Sequence, residues 1–133
     1  MDTRTVHVPG GRHLILDFWG CSPSTLNNPH EIETVLRAAC EDAGATVLFS
    51  NVHHFGGEYG VTGVVGLSES HCSIHTWPEE GYASLDVYMC GDCSPRDSIA
   101  RMQAYFKPTR KRIKEIIRGA RPSQGVFTLR KVA

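Results

Sequence analysis

The sequence carries no surplus of charge, no long apolar run and no regular cysteine framework, and each lack removes a class of function. Lysine and arginine together number 14, as do aspartate and glutamate, so the charge balance favours neither nucleic acid nor a membrane surface as a partner. No run approaches the roughly 20 apolar residues that a membrane span requires, and Met1–His7 lacks the apolar core of a secretory leader. A soluble, cytoplasmic protein with a small-molecule partner is expected. The five cysteines, Cys21, Cys40, Cys72, Cys90 and Cys93, are odd in number and irregularly spaced, which suits reduced thiols rather than a disulfide scaffold. Internal repeats, linkers and low-complexity segments are missing too. A chain of 133 residues can build one hydrophobic core without metal or disulfide staples, so residues 1–133 are expected to form a single domain.

What is present is an alternation of strand-like and helix-like segments. Gly10-Gly11 leads into the apolar and aromatic run His13–Trp19, closed by Gly20, which reads as a strand. After a polar loop, Cys21–Asn27, the order Asn28-Pro29-His30-Glu31 supplies an N-cap, a proline at the first helical position and an acid in the first turn. Ile32, Val35, Leu36, Ala39, Cys40 and Ala43 then recur at helical spacing until Gly44 stops the pattern. Cys40 accordingly faces the core as a small hydrophobe. Ala45–Phe55, Val61–Leu67, Cys72–Trp77 and Tyr82–Met89 read as strands, the last with strict alternation. Gly63 and Gly66 are expected to admit a neighbouring backbone.

Ser94-Pro95-Arg96-Asp97 opens a second helix with Ile99, Met102, Tyr105 and Phe106 as its apolar stripe, ended by Pro108. Arg110–Arg118 fits a strand or a short helix, and Val126–Leu129 fits an edge strand or part of a loose tail. The basic stretch Lys107–Arg121 reads as a solvated face. The order β-α-β-β-β-β-α-(β), with short turns between neighbouring strands, predicts an α+β fold. Its form is a two-layer α/β sandwich, an antiparallel sheet with two helices packed on one face.

Reactive side chains crowd into Leu67–Cys90. A metal site there would draw on His53, His54, His71, Cys72, His75, Cys90 and Cys93, but only Cys90-Gly91-Asp92-Cys93 has a zinc-like spacing and no second close pair completes it, so no metal is expected. The same CxxC pair lacks the preceding βαβ pattern of a thioredoxin-type redox motif. The third constellation is a Ser-Glu-Ser-His turn with His75 and Cys90 following. Read blandly, it is a hydroxyl-capped hairpin with ordinary histidines. Read chemically, Ser70 attacks the carbonyl of Glu69, the peptide bond becomes an ester, and elimination breaks the chain and leaves a pyruvoyl group in place of the serine. That requires a strained bond, a donor for the oxyanion and a base for the Cα proton, for which Thr62 and His75 are candidates. A pyruvoyl carbonyl forms a Schiff base with an amine substrate and takes up the electrons released when CO2 departs. Cys90 can then protonate the substrate carbon.

These residues resemble a known family, the small prokaryotic S-adenosylmethionine decarboxylase proenzymes. The likeness is carried by Gly60-Val61-Thr62-Gly63-Val64-Val65, Leu67-Ser68-Glu69-Ser70-His71, Ile74-His75-Thr76-Trp77-Pro78-Glu79, Gly81-Tyr82-Ala83 and Cys90-Gly91, and with weaker matches at Gly11–Leu14, Gly44–Thr46 and His53–Phe55 it extends over most of Gly11–Gly119. The resemblance implies autocatalytic cleavage between Glu69 and Ser70 into a β chain, 1–69, and an α chain, 70–133, whose pyruvoyl group derives from Ser70. It further implies that His75, assisted by Thr62, acts in processing and that Cys90 is the proton donor in decarboxylation. Phe55 and Trp77 would stack the adenine ring and Glu79 would hold the ribose hydroxyls. Members pair as (αβ)2 with their sites at the protomer interface, and their product feeds spermidine synthesis. Two positions depart from the family pattern. The loop Gly56-Gly57-Glu58-Tyr59 is longer by one residue and lacks a common proline, and Gly66 replaces an aliphatic residue. Two alternatives keep the same residues: a pyruvoyl enzyme acting on arginine or ornithine, and a binding module that has kept the fold without catalysis.

Overall fold

The computed structural model describes residues 10–119 and 129–132. Its strands are β1 (Gly11–Trp19), β2 (Val47–His54), β3 (Val61–Leu67), β4 (Ser70–Trp77), β5 (Tyr82–Met89), β6 (Arg110–Arg118) and β7 (Leu129–Val132); its helices are α1 (Pro23–Leu26), α2 (Pro29–Asp42) and α3 (Ile99–Phe106). All seven strands join one sheet in the order β2-β3-β4-β5-β1-β6-β7, and every pairing is antiparallel. The expected two-layer sandwich is what forms. No helix among the described residues is long and apolar enough to cross a membrane.

Alternation along the strands builds the two faces. Leu14, Leu16 and Phe18 of β1, Cys72 and Ile74 of β4, and Ala83, Leu85, Val87 and Met89 of β5 are buried in one core with Ile32, Leu36, Ala39 and Cys40 of α2 and Ile99, Met102 and Phe106 of α3. Their sequence neighbours, His13, Asp17, Ser73, His75, Ser84 and Asp86 among them, point to the opposite, uncovered face and are at least partly exposed. Helix α2 begins as its sequence dictates, with Asn28 Oδ1 accepting from the Glu31 amide at 3.1 Å and Pro29 at the first turn.

Several local expectations change. Cys21–Asn27 is not wholly loop, because Pro23 starts the one-turn helix α1. Its last carbonyl, on Leu26, accepts from the buried Thr76 hydroxyl at 2.7 Å. The second helix begins as a 3₁₀ turn, Pro95–Ser98, before α3, and it ends at Phe106 with Lys107 in the left-handed region rather than at Pro108. Arg110–Arg118 is a strand, since β1 otherwise lacks a neighbour on that side; Ile113 and Glu115 point inward while Arg110, Arg112 and Arg118 pair along the open face with Trp19, Asp17 and Gly11. Glu115 is buried and bonded to Arg96 at 2.9 Å. Of the expected edge strand Val126–Leu129, residues 126–128 lie outside the described residues, and β7 runs from Leu129. Both glycines of β3 admit a side chain of β2, and at Gly63 the expected neighbouring backbone comes close as well, the Asn51 carbonyl oxygen standing 3.3 Å from a Cβ built there. A Cβ on Gly63 would stand 2.8 Å from the Val52 side chain, and one on Gly66 would fall 2.1 Å from the Phe49 ring.

Candidate active site

A tight hairpin, Ser68-Glu69, joins β3 to β4 and delivers Ser70 to the first position of β4, opposite Met89. Ser70 has φ +146°, a conformation that a residue with a Cβ seldom adopts. The strain expected from sequence is therefore present at the predicted scissile bond. The Glu69 side of that bond is held at two points. The Glu69 carbonyl accepts from the Cys90 amide at 3.1 Å, and the Glu69 carboxylate accepts from the Thr46 amide at 2.9 Å. Burial pulls the Glu69 carboxyl up, but the Thr46 amide and the Ser68 hydroxyl outweigh it and leave the pKa below the ordinary value. Cys90 follows β5 and sits half-buried beside this turn, while Cys93 is buried and its thiol is pushed up by burial, the opposite of a redox CxxC thiolate.

The second group of predicted residues lies at the far end of β4. Thr62 and His75 are cross-strand partners, and Thr62 Oγ1 lies 2.7 Å from His75 Nδ1. Five residues of extended chain separate His75 from Ser70, about 17 Å. The predicted site residues thus fall into two halves along β4, with Glu69, Ser70 and Cys90 at one end and Thr62 and His75 at the other.

The half-site around His75 also gathers the predicted aromatics. His53 pairs with Thr62, and the ring of Phe55 packs edge-on against His53 at 5.0 Å. Trp77, two residues beyond His75, lies 5.3 Å from Tyr82 in a stacked arrangement that continues to Trp19 at 5.9 Å. The guanidinium groups of Arg110 and Arg112 lie over the Trp19 ring at 5.8 and 5.5 Å. Extending the β2–β3 register by one residue and the β3–β4 register by two puts Gly60 between Phe55 and Trp77. Two strand spacings separate the aromatics, about 10 Å. A Cβ on Gly60 would meet the Thr76 carbonyl oxygen at 2.4 Å. Glu79 is exposed on the 3₁₀ turn that follows Trp77.

Between the half-sites lies a network that sequence reasoning did not find. Asp86 Oδ2 accepts from His13 Nε2 at 2.6 Å and His71 Nε2 at 3.1 Å, and its other oxygen accepts from Ser73. Burial raises the Asp86 pKa, yet the bonds from His13, Ser73 and His71 prevail and lower it to about 2. A cavity of about 280 Å3 opens beside it, lined by His13, Ile15, Ser73, His75, Ser84, Leu85 and Asp86. Among the described residues, His13, His71 and Asp86 are the cluster whose donor atoms converge as metal ligands would. Their facing atoms are engaged with one another, however, and Arg118 Nη1 approaches His13 Nδ1 at 3.4 Å. Donation from Arg118 leaves the His13 proton on Nε2, toward Asp86, where a metal ligand needs a lone pair. The only sequence signal for this network was the alternation that put Ser84, Asp86 and Tyr88 on one face of β5.

Residues 12–119 match the family model for S-adenosylmethionine decarboxylase. A protein of Methanococcus maripaludis named S-adenosylmethionine decarboxylase proenzyme is 44% identical over 110 residues, covering 82% of this chain and 89% of its own length. One of the same name from Fervidobacterium nodosum is 41% identical over 117 residues, covering 87% and 85%. The crystal structure of the adenosylmethionine decarboxylase from Aquifex aeolicus superimposes with a TM-score of 0.78 at 32% identity, over 90% of this chain and 99% of that one. With the strained Glu69-Ser70 turn and the Thr62–His75 pair on such a scaffold, this chain belongs to the S-adenosylmethionine decarboxylase family.

Proposed function

We propose that the chain is a proenzyme that cleaves itself between Glu69 and Ser70 and then decarboxylates S-adenosylmethionine in the cytoplasm, supplying spermidine synthesis. The observation that carries this reading is the hairpin: Ser70 at φ +146° and the scissile carbonyl oxygen bonded to the Cys90 amide at 3.1 Å. Ser70 Oγ adds to the Glu69 carbonyl carbon, and the Cys90 N–H is aimed at the oxygen on which charge develops. This amide takes the oxyanion role for which the Thr62 hydroxyl was the sequence candidate. The C–N bond breaks, the amine keeps the hydroxyl proton, and an ester joins the two residues. Loss of the Ser70 Cα proton then expels the Glu69 carboxylate as the end of the β chain, 1–69. Hydrolysis releases ammonia and leaves the pyruvoyl group on the α chain, 70–133.

The base for the Cα proton is His75. With Nδ1–H donating to Thr62, its Nε2 lone pair is free. A separation of about 17 Å along β4 rules out delivery within one chain. A second copy, laid face to face and antiparallel on the open side of the sheet, brings the partner subunit's His75 to Ser70 and completes both sites at once, as a two-fold interface does. Ile15, Phe49, Phe55, Val64 and Trp77 are exposed on that face, an apolar surface suited to burial between copies. This supports pairing as (αβ)2.

The pyruvoyl carbonyl, once formed, supplies the electron sink for loss of CO2. The chain's own residues do the rest. Phe55 and Trp77 flank a gap floored by Gly60 that is wide enough for a flat ring, since two stacking contacts need about 7 Å. Glu79 offers a carboxylate to the ribose hydroxyls. Cys90, beside Glu69, is the proton donor to the substrate carbon. Five cysteines without disulfides suit a reducing compartment.

Purified protein tests the reading directly. Intact mass should show chains split at Glu69/Ser70, Ser70→Ala should remain one chain, and CO2 should be released from S-adenosylmethionine but not from arginine or ornithine. A processed protein silent on S-adenosylmethionine and active on a basic amino acid would reassign the substrate. A wild-type chain that never splits would remove catalysis altogether.

A further inference from the structure

The loop Gly56–Tyr59, which departs from the family pattern beside Phe55, is held from another element by the side chain of Asn27. Asn27 follows α1, and its amide makes contacts across the loop and its ends. Oδ1 accepts from the Gly60 amide at 3.1 Å and from His54 Nε2 at 2.8 Å, and Nδ2 donates to the Gly57 carbonyl at 2.9 Å. Because a backbone N–H points at Oδ1, the orientation of the Asn27 amide is determined, and His54 must carry its proton on Nε2. The loop itself has little to hold it. Gly56, Gly57 and Gly60 all have positive φ, and its internal bonds are Phe55 N to Gly60 O and Tyr59 N to Gly56 O. A glycine-rich loop without proline surrenders much entropy on ordering, so an external clamp is what gives Phe55 a defined place.

The clamp is referenced to the other wall of the gap. Thr76, buried next to Trp77, donates from Oγ1 to the Leu26 carbonyl at 2.7 Å and accepts there from the Val61 amide at 2.9 Å. Thr76, Leu26 and Asn27 thus form a continuous bonded path from the strand that bears Trp77 to the loop that bears Phe55. Both rings are positioned from one anchor.

We infer that Asn27 is a positioning residue for substrate recognition: through the His54, Gly57 and Gly60 contacts it sets the distance of Phe55 from Trp77 and hence the width of the slot for the adenine ring. This rests on the reading of Phe55 as a stacking partner, and the test separates the two. Steady-state kinetics with S-adenosylmethionine are measured for Asn27→Ala, Asn27→Asp, Phe55→Ala and the Asn27→Ala/Phe55→Ala double variant, each shown by intact mass to be fully processed.

Asn27→Ala should raise KM about tenfold with kcat within about twofold, the split expected when binding is weakened evenly in ground and transition states. Asn27→Asp, which retains the acceptor for Gly60 but loses the donor to Gly57, should fall between, and it serves alone if Asn27→Ala does not fold. The double variant should be no worse than Phe55→Ala, because the two changes remove one effect. Should Phe55→Ala raise KM while the Asn27 variants match wild type, the clamp is overturned and stacking stands. Additive losses in the double variant overturn it as well, since Asn27 would then act other than through Phe55. An unchanged KM in Phe55→Ala removes the stacking reading and the inference with it.

Discussion

Asp86 is held by three donors, His13, His71 and Ser73, on a sheet face otherwise rich in basic side chains. Its pKa of about 2 lies below the ordinary 3.8, so the folded state prefers the carboxylate more than the unfolded chain does. The resulting stability, about 2 kcal/mol, is fully present above about pH 4 and is lost as the pH falls toward about 2. Asp86→Asn should therefore lower urea-unfolding stability by about that amount near neutrality, with the gap to wild type closing as the solution is acidified toward about pH 2. A gap that stays constant over that range would mean that the charge of Asp86 contributes nothing. At this scale the sequence pointed to the right chemical types but not to their partners. His71 reads as an accessory to Ser70 in the chain, yet in the structure its ring turns to Asp86, fifteen residues away.

At the scale of elements, β3 shows how two glycines near one strand serve different ends. Gly60, at its start, has φ +86° and would bring a Cβ within 2.4 Å of the Thr76 carbonyl oxygen and 2.8 Å of Pro78 Cδ. Neither neighbour can yield without moving the chain on either side of Trp77. Gly66 keeps ordinary strand geometry, and the nearest atoms to a Cβ there belong to the ring of Phe49, the rotatable end of a side chain that is 58% exposed in the single protomer. Gly60→Ala should cost about 2 kcal/mol or more, combining left-handed strain with steric conflict, whereas Gly66→Ala should cost well under about 1 kcal/mol. Urea midpoints of the two variants, measured side by side, check this; equal losses would show that Phe49 is as fixed as the backbone at Thr76. The 3₁₀ turn before α3 and the helix α1 belong to the same scale. Both begin at a proline that the sequence displays, but their lengths depend on bonds to distant groups, such as the Thr76 hydroxyl on Leu26.

For the whole molecule the decisive quantity is the length of β4. Eight residues place Ser70 at one end and His75 toward the other, so in a lone protomer the predicted site residues fall into two separate halves. If pairing across the open face completes them, co-expression of Ser70→Ala with His75→Ala should restore cleavage of the His75→Ala chains, which keep Ser70 and borrow the partner subunit's His75. Each variant expressed alone should stay uncut. Efficient cleavage of His75→Ala by itself, or none in the mixture, would refute this division of labour.

Periodicity and turn chemistry are local, and they were sufficient for the helix start at Asn28, the strands β3 and β5, the two-layer class and the strained turn at Glu69-Ser70. Each is set by residues within about four positions of one another. The strand identity of Arg110–Arg118 was not legible, because what decides it is a vacant edge on β1, some ninety residues earlier. Nor were the Cys90 amide on the Glu69 carbonyl, the Asp86 network or the Asn27 contacts, all of which follow from register between strands and loops far apart in the chain. The sequence by itself determined which chemical groups the protein possesses and which segments are extended or helical, since those depend on side-chain type and near neighbours. Only the tertiary structure decided which groups meet, because pairing register converts 21 residues of separation into contact at Glu69 and Cys90 and five into about 17 Å at Ser70 and His75.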